Sequence, residues 1–182
     1  MDEQELIAGC LRGRMEDFRM IVERYSAPAM ALAMNILGNR DDAEDACQEL
    51  FIQVYRHLES YDKDRSFKNW IYTILYRRCL DQLKRRRRSA ELVKKMGRET
   101  VLATPSNPGH SHPSRSLPSD LLEQLTAKER TALCLWANEG YTAQEISEVL
   151  RCSASTARVY LFQARKKIKT LLEQGYVSLQ NV

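Results

Sequence analysis

Apolar residues recur at intervals of three and four along most of the chain, and the alternating runs typical of β-strands are missing. This spacing predicts a short helix at about Glu3–Leu11 and a longer one at about Met15–Leu37, which Gly38 ends. Pro28 is expected to kink or split the longer helix, because proline removes a backbone donor and clashes with the preceding turn. The pattern predicts an all-α protein.

Two further helices are predicted on either side of a polar loop. Carboxylates at positions 41, 42, 44 and 45 favour a helix N-terminus, and the third helix continues from there to about Leu58. The segment ESYDKDRSF, residues 59–67, predicts the loop, and a fourth helix follows from about Phe67 to Arg87. The apolar stripe of the third helix leaves five residues on other faces: Asp45, Gln48, Glu49, Ile52 and Tyr55.

The fourth helix is aromatic at its beginning and strongly basic at its end. Aromatic rings interleaved with cations are typical of surfaces that bind single-stranded nucleic acid, because bases stack on the rings while cations contact phosphates. Two plainer explanations remain open. Aromatic residues at helical spacing often form a core, and terminal arginines also complement the helix dipole.

The chain is divided by a stretch of different composition. Residues 89–118 hold four of the five prolines, with serine and glycine between them, and predict a flexible linker. Within this stretch, the segment AELVKKM before Gly97 either extends the fourth helix or forms a short helix of its own. The sequence therefore predicts two small helical domains, at 1–88 and 119–182, joined by the linker 89–118.

The second domain contains the most specific pattern in the sequence. Thr126 with Glu129, and Thr142 with Glu145, form capping boxes that begin two helices, and Gly140 separates them. A turn at 151–153 then leads into a longer basic helix, so the pattern predicts a helix-turn-helix. The second helix of that motif enters the major groove of DNA, although the shape is also used for packing or protein contact. Eight residues are candidates for DNA contact: Ser155, Thr156, Arg158, Val159, Phe162, Gln163, Arg165 and Lys166.

Charge is segregated along the chain more strongly than the formal net charge of +4 suggests. Residues 1–60 carry a net charge of −6 and residues 61–98 carry +9. Residues 119–150 carry −4 and residues 151–182 carry +5. Two basic segments, each preceded by an acidic one, indicate two contacts with a polyanion, of which nucleic acid is the leading candidate.

Other chemistry is expected to be absent. The five cysteines contain no C-x-x-C pair, which favours reduced thiols in the cytoplasm over disulfides or zinc. His110 and His112 have no further ligands nearby, the carboxylates at 41–45 are typical of a helix cap, and no catalytic motif is present, so we expect neither a metal, a cofactor nor an enzyme. The absence of an apolar run of about 20 residues and of a signal sequence predicts a soluble, cytoplasmic protein.

Three segments together resemble a known family. They are DDAEDACQELFIQVYRHL at 41–58, FKNWIYTI at 67–74 with Asp81 and the basic run behind it, and the helix-turn-helix that begins at Thr142. In this order and spacing they are similar to bacterial RNA polymerase sigma factors, specifically the small extracytoplasmic function group with two domains. The resemblance implies a protein that binds core RNA polymerase, directs it to promoters and helps to melt DNA. A stand-alone helix-turn-helix regulator and a nucleic-acid enzyme are the alternatives.

The resemblance also implies roles for individual residues. The third helix would dock on the clamp coiled coil of the largest polymerase subunit through Asp45, Gln48, Glu49 and Phe51. The minus-ten promoter element would be contacted by Ser60, Tyr61, Asp62, Arg65, Ser66, Phe67, Trp70, Thr73 and Arg77. The eight helix-turn-helix residues would contact the minus-thirty-five element as duplex, and an anti-sigma factor is a further expected partner.

The sequence departs from the family pattern at two contact surfaces. Arg77 stands where the family commonly has asparagine, and Val159, Tyr160 and Gln163 occupy positions that are usually basic. Gln163 is suited to pair with adenine and Val159 to touch a thymine methyl group. The promoter sequence itself does not follow from these residues.

Overall fold

The computed structural model describes residues 2–95 and 124–173, and every regular element within these two ranges is helical. A short 3-10 helix, Leu58–Ser60, follows the third α-helix. The α-helices are α1 (Glu3–Leu11), α2 (Met15–Leu37), α3 (Arg40–His57), α4 (Phe67–Lys95), α5 (Ala127–Glu139), α6 (Ala143–Leu150) and α7 (Ala154–Glu173). The all-α prediction is confirmed.

The helix ends are fixed by the local signals that the sequence contains. Thr126 caps α5 and Thr142 caps α6, each in a complete capping box with the glutamate three residues later. Gly38 and Gly140 adopt the left-handed conformation that ends α2 and α5. The side chain of Asn39 accepts a hydrogen bond from the Asp42 backbone N–H at 2.8 Å and so caps α3.

The structure decides two points about helix length that the sequence left open. Helix α2 is continuous through Pro28, so the proline does not split it; buried side chains on both sides of the proline, including Tyr25, Ala29 and Leu32, pack against the core and hold the helix together. Helix α4 continues past Arg87 to Lys95, so residues 89–95 of the predicted linker are helical, which is the extension that the sequence left open. Residues 96–118 of the linker, with His110 and His112, lie outside the described residues.

Each group of helices has an apolar interior. In the first group, fully buried residues from α1 to α4 meet, among them Leu6, Ile21, Leu50, Phe67 and Leu75. In the second group, α5, α6 and α7 bury a smaller set: Leu125, Leu133, Leu135, Ile146, Val149, Leu150, Ala157, Leu161 and Ala164. Burial of these side chains provides the main stabilisation of both groups.

The two groups also pack against each other, α5 against α2 and α6 against α4. Tyr72 of α4 and Tyr141, between α5 and α6, are buried with their ring centroids 6.0 Å apart. Lys68 Nζ lies 2.7 Å from Glu139 Oε2, and Asn69 Nδ2 donates to Glu148 Oε2 at 2.8 Å. We call these six residues the interdomain clasp. In addition, Arg130 Nη1 of α5 donates to the Ile36 carbonyl of α2 at 3.0 Å.

Candidate functional surfaces

The outer face of α3 is polar and acidic, with two large apolar side chains among the charges. Its inner face is buried through Ala43, Cys47, Leu50 and Val54, which turns Asp45, Gln48 and Glu49 toward solvent and leaves Phe51 half-buried at the edge. Ile52 and Tyr55 are 48% and 52% exposed on the same outer face. The proposed docking residues therefore lie together on one surface.

Ile52 and Tyr55 belong to this surface, although the sequence analysis gave them no role. They follow Asp45 and Gln48 at helical spacing, and this spacing is the signal that could have found them. The Tyr55 ring packs edge-on against Phe18 of α2, with centroids 5.0 Å apart, so its position is fixed. A fixed apolar centre within a polar rim is typical of protein interfaces.

The aromatic residues at the start of α4 form one cluster that belongs partly to the core. Tyr61 and Phe67 are buried, with centroids 5.0 Å apart, and Phe67 stacks on Trp70 at 5.6 Å. The Tyr61 hydroxyl donates to the Arg65 carbonyl and closes the loop between the helices. Of the three rings, Trp70 is the one that remains partly exposed. Core packing therefore accounts for Tyr61 and Phe67, while Trp70 keeps part of its ring exposed to solvent.

The loop before α4 is held by its own side chains and presents polar groups outward. Ser60, Asp62, Arg65 and Ser66 are all exposed. Asp62 Oδ2 lies 3.3 Å from Arg65 Nε, and the Ser66 hydroxyl accepts a hydrogen bond from the Asn69 N–H at 3.3 Å. The arrangement keeps the exposed Arg65 next to the aromatic cluster.

Trp70, Thr73 and Arg77 follow each other along one side of α4, and all three are partly exposed. The Thr73 hydroxyl donates to the Asn69 carbonyl at 2.7 Å, which fixes its rotamer and leaves its oxygen free to accept a hydrogen bond. Further along, Lys84, Arg85, Arg87 and Arg88 are exposed. Along this side of α4, one aromatic ring, one hydroxyl and one cation are thus followed by a surface of exposed basic residues.

Arg86 differs from the other residues of the basic run. Its guanidinium lies 3.1 Å from Asp42 Oδ2 of α3 and donates to the Leu37 carbonyl of α2 at 3.2 Å. It therefore joins three helices and has a structural role.

The orientation of α7 is set by its buried residues. Ala157, Leu161 and Ala164 face the core, so seven of the eight candidate side chains are exposed and Thr156 is half-buried. Ser153, which the sequence analysis did not single out, accepts a hydrogen bond from the Thr156 backbone N–H at 3.1 Å and caps the helix. The guanidinium of Arg165 lies over the Trp136 ring, 5.2 Å from its centroid, which restricts the arginine.

Lys167 follows Arg165 and Lys166 in α7 but is paired with a carboxylate of α5. Its ammonium lies 2.7 and 3.0 Å from the two carboxylate oxygens of Glu129, which is buried. Burial raises the pKa of this carboxyl, but the hydrogen bonds from Lys167 and Thr126 lower it by more, so the pKa lies below its ordinary value. The pair joins α5 to α7.

Three of the cysteines are buried and are held as unreactive thiols. All five are free thiols. Burial raises the pKa of Cys47 to about 11 and those of Cys79 and Cys134 to about 12, which keeps them protonated. In residues 2–95 and 124–173, no group of acidic, histidine and cysteine side chains is arranged to hold a metal ion. No helix within those ranges has both the length and the apolar character needed to cross a membrane.

Comparison with known proteins assigns both groups of helices. The family profile of sigma-70 region 2 matches residues 21–89, and that of sigma-70 region 4 matches residues 119–168. The RNA polymerase sigma-H factor of Pseudomonas aeruginosa is 26% identical over an aligned length of 181, and the alignment covers 94% of each chain. The ECF RNA polymerase sigma-E factor of Haemophilus influenzae is 27% identical over an aligned length of 183, and the alignment covers 95% of this chain and 96% of that one.

Two solved structures have the same fold. The structure of CnrH in complex with the cytosolic domain of CnrY matches with a TM-score of 0.69 and 22% identity, covering 95% of this chain and 98% of that one. The sigma factor RpoE in complex with the anti-sigma factor NepR from Bartonella quintana matches with a TM-score of 0.69 and 23% identity, covering 87% and 98%. The family profiles match most of the described helices, in the order that the resemblance predicted. The chain therefore belongs to the sigma-70 family of RNA polymerase sigma factors, in its extracytoplasmic function group.

Proposed function

We propose that this protein binds core RNA polymerase through the outer face of α3, contacts the minus-ten element through the loop and α4, and contacts the minus-thirty-five element through α7. The observation that carries this proposal is the orientation of α7 and α4. Each helix buries one face and turns a separate line of ring, hydroxyl and cationic side chains to solvent. Two such surfaces on one chain suit two DNA elements.

The α4 surface is suited to a melted strand. A base that leaves the duplex can stack on the exposed part of Trp70, which Phe67 and Tyr61 support from below. Stacking of one base on an aromatic ring contributes about 1 to 3 kcal/mol. Because this contact is available only to an unpaired base, it stabilises the open promoter relative to the closed one. The phosphates of either form are bound by the exposed cations Lys84, Arg85, Arg87 and Arg88.

The α7 surface is suited to duplex DNA. Residues near its N-terminus contact base edges in the major groove, and the cations further along contact phosphates. The hydroxyl-rich N-terminus, where Ser153 Oγ lies 2.8 Å from Ser155 Oγ and Thr156 Oγ1, supplies further phosphate contacts.

The packed arrangement of the two groups cannot contact both elements at once. Tyr76 of α4 lies beside Tyr160 of α7, and burial together with this neighbour raises the pKa of Tyr76 to about 12. Trp70 and Tyr76 are only about 9 Å apart along α4, so the minus-ten surface lies close to α7. In contrast, promoter elements separated by two turns of the DNA helix lie about 70 Å from each other. The interdomain clasp therefore opens when the protein engages a promoter.

The remaining features of the proposal concern partners and location. The protein acts in the cytoplasm as a specificity subunit without catalytic activity of its own, and the polymerase performs the bond chemistry. Both structures described above are complexes, one of them with an anti-sigma factor. This protein is accordingly proposed to be held inactive by an anti-sigma factor, which binds before the polymerase does.

Promoter opening by the Trp70→Ala variant tests the proposal. Holoenzyme with Trp70→Ala should form the closed complex normally and open promoter DNA at least fivefold less, because about 1 kcal/mol or more of stacking is lost. Trp70→Phe, which keeps a ring, is the matched control and should retain most of the opening. Permanganate reactivity of unpaired thymines measures opening. Equal reactivity with the parent and Trp70→Ala would contradict the role of α4.

A further inference from the structure

Helix α7 carries two large apolar side chains on its solvent face. Val159 is 49% exposed and Phe162, one turn further along, is 67% exposed. No other large apolar side chain in the described parts of the chain is as exposed as Phe162. We call Val159 and Phe162 the apolar ridge. The opposite face of α7 is already buried through Ala157, Leu161 and Ala164, so the ridge contributes nothing to the core.

The surroundings of the ridge indicate what it contacts. Arg158 lies one turn before Phe162 and Lys166 one turn after it, and both are exposed on the same side of the helix. Gln163, also exposed, lies beside the ridge. From Ala154 onward the first carboxylate along α7 is Glu173, near the end of the helix. An apolar ridge between two cations suits a partner that is polyanionic at its edges and offers an apolar group at its centre.

The major groove of DNA offers one apolar group among its base edges, the 5-methyl group of thymine. Adenine, guanine and cytosine have no methyl group there and present hydrogen-bonding atoms instead. A ridge of valine and phenylalanine placed in the groove therefore favours thymine, and it disfavours the other bases by leaving their polar edges against an apolar surface. Gln163 is suited to bind the N6 and N7 atoms of an adenine next to such a thymine.

We infer that Val159 and Phe162 recognise thymine through its 5-methyl group within the minus-thirty-five element. The protein therefore selects its promoters partly by the methyl groups in that element. The inference rests on the proposed function, since it assumes that α7 enters the major groove. The ridge is also held rigidly for this role, because Ser153 caps α7 and the core face of the helix is fully packed.

The test uses holoenzyme assembled from the full chain and bacterial core polymerase. A pool of randomised duplexes is enriched by binding, and the best duplex is then synthesised with uracil in place of one thymine at a time. Uracil keeps every hydrogen-bonding atom of thymine and lacks only the methyl group. At one or two positions, uracil should weaken binding of the parent about fourfold per methyl. Phe162→Ala or Val159→Ala should bind the thymine and uracil duplexes equally at the corresponding position.

Lys166→Ala is the matched control on the same face of α7. It should weaken binding to both duplexes by the same factor and keep the preference for thymine. Equal binding of thymine and uracil duplexes by the parent at every position overturns the inference and leaves the proposed function intact. The inference is also overturned if Phe162→Ala binds DNA like the parent but no longer joins the polymerase, because the ridge would then contact protein. If the parent enriches no duplex, the proposed function fails, and the inference falls with it.

Discussion

The interdomain clasp predicts that removing two glutamates will open the free protein. The variant Glu139→Ala/Glu148→Ala removes the ion pair with Lys68 and the hydrogen bond from Asn69, and leaves the buried Tyr72 and Tyr141 rings in place. Both substitutions lie at partly or fully exposed positions, so each group of helices should remain folded.

The expected magnitude follows from the exposure of these groups. The partly exposed Lys68–Glu139 pair contributes up to about 1 kcal/mol. A hydrogen bond to a charged group contributes about 1.5 to 3 kcal/mol, and less here because Glu148 is exposed. The buried hydroxyl of Tyr141 has no hydrogen-bond partner among the described residues, which weakens the closed state. Loss of about 1 to 3 kcal/mol shifts the equilibrium from closed to open by about 5- to 150-fold.

Small-angle X-ray scattering of the free chain measures this shift. A compact chain of this length has a radius of gyration of about 16 Å, and the variant should have a larger radius than the parent at the same salt concentration. Glu91→Ala/Glu173→Ala is the matched control, because it also removes two glutamates but breaks only pairs within α4 and within α7. Identical radii for the parent and the clasp variant would show that these two glutamates do not hold the two groups of helices together.

Three further predictions concern stability and reactivity. Glu129→Gln should lower the free energy of unfolding at pH 7 by about 1 to 3 kcal/mol. Because the pKa of Glu129 is lowered in the folded state, this contribution is present at neutral pH and is lost as the pH falls below about 4.5. Urea melts of the parent and the variant should therefore converge below that pH. Arg151→Gly should raise the free energy of unfolding by about 0.5 to 1 kcal/mol, because Arg151 has a φ of 51°, a left-handed conformation that glycine adopts without steric cost. A lower melting temperature of the variant would contradict this. In the folded protein at pH 8, a disulfide reagent should fail to modify Cys47, Cys79 and Cys134. The same reagent should modify all five thiols after denaturation. Rapid modification of more than two thiols in the folded protein would contradict this.

Local signals predicted most of the helices because these signals act within a few residues. The capping boxes at Thr126 and Thr142 and the glycines at 38 and 140 fix helix ends without reference to the rest of the chain. The exposed residues of α7 were also predictable, because the small and apolar residues that face the core recur at helical spacing. Pro28 does not split α2, because tertiary packing on both sides outweighs the local preference of proline.

Contacts between distant segments could not be predicted in the same way. Tyr72 and Tyr141 are far apart in sequence, and nothing in the local pattern of either indicates that they pack together. The same applies to the pairing of Lys167 with Glu129. At the start of α4, the spacing of Phe67 and Trp70 did not show which ring is buried, since Tyr61 completes the cluster from the preceding loop.

Co-migration with bacterial core RNA polymerase on a size-exclusion column tests whether the protein binds the polymerase through α3. The parent should elute with the polymerase at low salt, and Gln48→Ala/Ile52→Ala should not, because both exposed side chains lie on the docking face of α3. Phe162→Ala/Gln163→Ala removes an apolar side chain and a glutamine from the exposed face of α7, and this matched control should co-migrate like the parent. A parent chain that elutes apart from the polymerase would contradict the account and favour a stand-alone helix-turn-helix regulator.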